Sequence, residues 1–104
     1  MWKNQTMHEL INLLAVALRH KIGAIVNSNE LYAQKYSRDA DLLISLAEKS
    51  KDKENWNIYD KKEIKEKLKK QLEQELKEKE FINDKKFELV DSEIAQILRK
   101  LDLE

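Results

Sequence analysis

The sequence predicts an all-α protein: a long antiparallel helical hairpin plus two further helices, forming a bundle by dimerisation. Three observations predict it. The 104-residue chain has one glycine, no proline and many Glu, Lys, Leu, Ala and Ile residues, a composition that favours helix over strand or coil. Its apolar residues recur at three- and four-residue steps, the spacing of one helix face. The first thirty-odd residues carry two such stripes side by side, and a helix apolar on two sides needs two sets of neighbours.

The size is that of one domain. Apolar residues make up 41% of the chain and charged residues 38%, the latter well above the roughly 25% of an average globular protein. Eleven charged residues fall in 1–50 and twenty-nine in 51–104, so the first half reads as core material and the second as solvated helix plus one more core element.

Helix one is expected over 6–36, opened by the capping-box spacing of Thr6 and Glu9. Met7, Leu10, Ile11, Leu14, Leu18, Ile22, Ile25 and Tyr32 form its first stripe. Leu13, Ala17, His20, Ala24 and Leu31 form the second, which is the candidate interface with another copy; His20, with small neighbours, reads as an interface histidine. Unbroken, this helix would be about 45 Å long and would overhang a domain of this size. It either breaks near 27–29, at Asn27-Ser28-Asn29, or is covered by a partner, and the partner is the expectation.

Helix two is expected over 38–50 after a Ser37 cap, with Ala40, Leu43, Ile44, Leu46 and Ala47 facing the core and a short connection making the hairpin antiparallel. Residues 51–59 read as a polar linker anchored by Trp56, Ile58 and Tyr59. Helix three, 60–80, opens on the capping-box spacing Asp60 to Glu63. It has one apolar residue per turn, Ile64, Leu68, Leu72 and Leu76, among acid-first pairs such as Glu63–Lys67, each worth about 0.2–0.5 kcal/mol. A stripe so narrow predicts a mostly exposed helix or one docked edgewise. A turn near Asn83-Asp84 precedes helix four, 91–102, whose face is Val90, Ile94, Ile97, Leu98 and Leu101.

The chemistry is bounded mainly by what the motifs exclude. With no cysteine, disulfides, thiolate catalysis and Cys-based zinc sites are out. No H-E-x-x-H, phosphate-cradling glycine loop or Ser/His/Asp order appears, so no enzyme, catalytic residue, cofactor or metal is expected. His8 and Glu9 belong to a helix start, and Asp39, Asp41 and Glu48 read as a solvated face. No uncharged run of eighteen residues exists, which argues against a membrane span. Glu9 and Asn12 interrupt the N-terminal apolar run, which argues against a secretory leader and makes the cytoplasm the expected compartment. Twenty basic residues balance twenty acidic ones, so no chain-wide field for nucleic acid is expected. Lys61, Lys62, Lys65, Lys69 and Lys70 nevertheless form a weak basic patch, diluted by Glu63, Glu66 and Glu73. "DSEIAQILRKL" looks like the first helix of a helix-turn-helix, with no recognition helix after it.

One segment carries a family likeness. Leu18-Arg19, Ile22-Gly23-Ala24-Ile25 and Glu30-Leu31 fall in the register of the phospho-accepting helix of the dimerisation and phosphotransfer domain of sensor histidine kinases, and about twenty residues resemble that helix. The position of the phospho-accepting histidine is Val16, that of its acidic neighbour is Ala17 and that of the usual proline is Lys21. Val cannot carry phosphate, and Ala cannot orient an imidazole. The resemblance therefore implies a dimerising helical hairpin that has lost phosphorelay chemistry and docks a response regulator. Taken together, the sequence is read as a non-enzymatic protein–protein interaction or regulatory module, self-associating through helix one. The alternatives are a small nucleic-acid-associated regulator using the helix-three lysines, or the degenerate phosphotransfer-like domain.

Overall fold

The computed structural model describes residues 2–26, 30–79 and 84–104, with the side chains of residues 2 and 30 left aside. The fold is all-α. Among the described residues four helices follow in order: α1 Trp2–Val26, α2 Glu30–Lys51, α3 Ile58–Glu78 and α4 Val90–Lys100, with a 3-10 helix, Asp84–Leu89, leading into α4. The described residues contain no strand.

The expected single helix reaching residue 36 is not what forms. α1 ends at Val26 and α2 begins at Glu30, with Asn27-Ser28-Asn29 between them outside the described residues. Ser37, expected as a cap, lies inside α2, and Thr6 lies inside α1. The physical reason is coverage. At 1.5 Å per residue the 25 residues of α1 span about 37 Å, which matches the 41 Å long axis of the molecule, and the next segment folds back along α1 instead of overhanging the domain.

The side-chain pairs fix the directions. His20 meets Tyr36 and Asp39 near one end of the hairpin, while Lys3 lies over the Trp56 ring just beyond the end of α2, so α1 and α2 are antiparallel. Lys3–Asp60, Asn12–Gln71 and Arg19–Glu75 advance together along both helices, so α3 runs parallel to α1. α4 returns against α3, held at its start by Lys69–Asp91 at 3.0 Å, and reaches α1 through Lys21 and the buried Glu93 at 3.2 Å. Helix α1 is the hub: α2, α3, α4 and the 3-10 helix all pack on it, whereas α2 makes no close backbone approach to α3 or α4.

The core follows from that arrangement. Leu10, Leu14, Leu18 and Ile22 of α1 are fully buried, as are Ile64, Leu68, Leu72 and Leu76 of α3. The narrow stripe of α3 is thus used completely, one residue per turn. Ile94, Ile97 and Leu98 of α4 close the cluster with Leu101 and Leu103. Burying each such side chain contributes about 1.5–3 kcal/mol. Lys86 is buried too, and its ammonium donates to the Lys79 carbonyl at 2.8 Å and lies 5.1 Å from the Phe87 ring centroid. It thereby pins the 3-10 helix on the carbonyl end of α3, where a cation is favoured.

This packing makes a direct prediction. Leu14→Ala and Leu68→Ala should each lower unfolding stability by about 2–5 kcal/mol, whereas Leu42→Ala, on the outward face of α2, should stay within about 0.5 kcal/mol of wild type in urea titrations.

Candidate functional site

The residues expected to form a seam between copies are largely covered by their own chain. Ala17 is buried, and Leu13, His20 and Ala24 are half-buried. This is the face of α1 that α2 lies on, as His20 shows. Its Nδ1–H donates to the Val16 carbonyl at 2.8 Å, its ring meets Tyr36 edge-on at 5.6 Å, and its Nε2 points to the Asp39 carboxylate at 4.0 Å. A carbonyl only accepts, so Nδ1 is the donor in this contact. Leu31 belongs to α2 instead, turned outward and 79% exposed. The stretch resembling the phospho-accepting helix is therefore divided between the end of α1 and the start of α2.

The basic patch also divides. Lys69 is paired with Asp91, which holds its ammonium pKa above the ordinary lysine value through that hydrogen bond and charge. Lys70 faces a furrow between α1 and α3 with His8, Ile11, Lys67, Gln71 and Gln74. Lys61, Lys62 and Lys65 stay together on the rim of a different depression, about 320 Å³ in volume, whose other lining residues are Ile58, Ala95, Leu98, Leu103 and Glu104. This groove between the start of α3 and the end of α4 is the candidate site. The α1–α3 furrow is larger, about 570 Å³, but shallower and more open to solvent.

Two local devices build the groove. On the α3 side, the Asn57 carboxamide accepts from the Asp60 amide at 2.8 Å and the Asp60 carboxylate accepts from the Asn57 amide at 3.1 Å, a reciprocal capping box. The cap thus sits one turn ahead of the expected Asp60–Glu63 pair, and the helix starts at Ile58. Trp56 anchors the approach by donating to the Lys51 carbonyl at 2.8 Å. Ile58 and Tyr59, expected to anchor beside it, are instead 76% and 80% exposed.

On the α4 side the helix stops before 102. Asp102 turns left-handed at φ 59°, its amide donates to the Arg99 carbonyl at 3.2 Å, and the Leu103 amide donates to the Leu98 carbonyl at 2.7 Å. That bond pair is a Schellman motif, which brings the residue after the turn onto the last helical turn. Leu103 thereby joins Leu98 in the groove floor. Asp is one of the few side chains other than Gly that visits this region readily.

Among the described residues Lys61, Lys62 and Lys65 enter no ion pair, in contrast to Lys3, Lys21, Lys67 and Lys69. The one carboxylate lining the groove, Glu104, lies 3.6 Å from Arg99. The rim is therefore positive and the floor apolar. Among the described residues no group of three or more His, Asp or Glu side chains is placed to hold a metal ion, and no described helix is long and apolar enough to cross a membrane. Comparison with models of known protein families, with curated proteins and with solved structures finds no match to this chain.

Two predictions concern the devices that shape the groove. Hydrogen bonding from Lys3 and from the Asn57 amide holds the Asp60 carboxyl below its ordinary pKa. Its contribution to stability is present above that ordinary value, about 3.9, and is lost as pH falls through the depressed one. Asp60→Asn should remove that part of the acid limb in circular-dichroism titrations. Asp102→Val should cost about 1–2 kcal/mol for a left-handed side chain, while Asp102→Gly should match or exceed wild type in thermal unfolding.

Proposed function

We propose that the chain is a non-enzymatic helical interaction module that docks a partner protein in the groove between α3 and α4. The observation that carries the reading is the placement of Ile58. A large apolar side chain stands 76% exposed on the lip of an apolar depression, within a chain that buries Ile64, Leu68, Leu72 and Leu76 completely on the same helix. Apolar surface gathered at one concave place and rimmed by polar residues marks binding surfaces more often than scattered exposure does.

Self-association enters this proposal at a different face from the one the periodicity suggested. A seam on α1 would have to displace α2. A pairing of copies that leaves the fold intact would use the outer row of α2, where Leu31, Leu42 and Leu46 are 79%, 63% and 43% exposed. That row is interrupted by Lys35 and Arg38, and among the described residues no concave floor lies between its leucines.

An unbiased peptide library displayed on phage, selected against the folded chain, tests the reading. Selected peptides, titrated into the isotope-labelled protein, should shift the backbone resonances of Ile58, Ala95, Leu98 and Leu103, and Ile58→Ser should weaken them by about tenfold, near 1.4 kcal/mol. Peptides that map to the outer face of α2, or a selection that yields no binder, would overturn it.

A further inference from the structure

We infer that the occupant of the α3–α4 groove is an acidic amphipathic helix of a partner protein, an inference that rests on the groove being a docking site and names what it takes. Charge is the first argument. The chain has equal numbers of basic and acidic residues, so a local excess of lysines is a feature of placement. Among the described residues several exposed lysines enter no ion pair, and Lys61, Lys62 and Lys65 are three of them gathered around a single apolar depression. Glu63 and Glu66 on the same helix dilute their field, but the lining carboxylate of Glu104 has Arg99 beside it.

Spacing is the second argument. Lys61 and Lys65 lie four residues apart, and Lys62 and Lys65 three apart. On a helix these are neighbours on one face, with Cβ atoms about 5–6 Å apart. Carboxylates repeating at the same steps on a helix laid alongside would meet them in register. The floor supplies the complementary half of the pattern. A cavity of about 150 Å³ holds a benzene-sized group, so 320 Å³ accommodates about two large apolar side chains, which the partner helix would present one turn apart. Apolar anchors inserted in a groove with charges at its margin is the helix-in-groove mode of recognition.

A nucleic acid fits the same lysines less well. Phosphate contacts gain nothing from Ile58, Ala95, Leu98 and Leu103, and Lys69 and Lys70, which would lengthen a basic track, are respectively paired with Asp91 and turned to the α1–α3 furrow.

Fluorescence anisotropy with four labelled probes tests the inference on the full chain. The probes are a four-turn Leu/Glu/Ala amphipathic peptide, its counterpart with Lys for Glu, a leucine-free Glu/Ala peptide and a single-stranded DNA of similar charge. The first should bind best, more weakly as salt rises, and should lose about tenfold or more both on Ile58→Ser and on the triple change Lys61→Glu, Lys62→Glu, Lys65→Glu. The triple variant should instead gain affinity for the Lys-bearing peptide, which also shows that it is folded. Equal binding of the Glu and Lys peptides at the groove would overturn the acidic partner while leaving the docking module standing. DNA bound more tightly than any peptide, and indifferent to Ile58→Ser, would overturn both. Binding of the Glu peptide that neither variant alters, or of none of the probes, would overturn the inference.

Discussion

Burial of α1 by its own chain is the constraint from which the remaining architecture follows. A helix with one apolar stripe is satisfied by one neighbour, but α1 is apolar over more than half its circumference. Leu10, Leu14, Leu18 and Ile22 need the α3 and α4 side, and Ala17, with Leu13 and His20, needs another helix on the opposite flank. α2 supplies that flank, and its backbone approaches no other helix closely. Because α1 occupies the centre, α3 can lie parallel to it with a stripe only one residue wide, and α4 can close the end. Polar ties such as Arg19–Glu75 at 3.3 Å and Lys21–Glu93 at 3.2 Å set the register of contacts whose stability comes mainly from area removed from water.

The helical class, most of the core and the approximate positions of α3 and α4 were legible in the sequence, because three- and four-residue apolar spacing reports which face a helix buries, although Ile25, Tyr32 and Leu46, expected on buried faces, are exposed. The end of α1 was less legible. Apolar residues continue in register through Ile25 to Leu31 and Tyr32, so periodicity alone runs across Asn27-Ser28-Asn29. What decides the break is a tertiary gain, namely the burial of Ala40, Ile44 and Ala47 against α1 once the chain reverses. Most of the two stripes that suggested a second copy is covered by a second segment of one chain, with Ile25, Leu31 and Tyr32 left exposed, and sequence spacing does not distinguish these two sources of cover.

The groove was half legible. Its lysines belong to a cluster of five along the sequence, and only the fold shows that Lys61, Lys62 and Lys65 share a rim while Lys69 and Lys70 go elsewhere. Its floor was hidden for a different reason. Leu103 reaches Leu98 through a left-handed residue that is Asp102, not glycine, so the usual marker of a Schellman turn is missing from the sequence. Ile58 was read as a loop anchor because it sits beside Trp56. The structure separates the two: Trp56 turns inward to the Lys51 carbonyl, and Ile58 takes the first position of α3, facing outward. The functional reading thus depends on two helix ends, both set by local backbone hydrogen bonding and not by the periodicity of the helices between.

The central claim is that both apolar flanks of α1 are covered within one chain. Sedimentation equilibrium over a wide concentration range tests it most directly, using a variant with Leu31, Leu42 and Leu46 each changed to Ser so that the outer face of α2 cannot contribute. The account predicts a single species at the 12.4 kDa of one chain throughout. A stable dimer whose cross-links map to Leu13, Ala17 and His20 would contradict it.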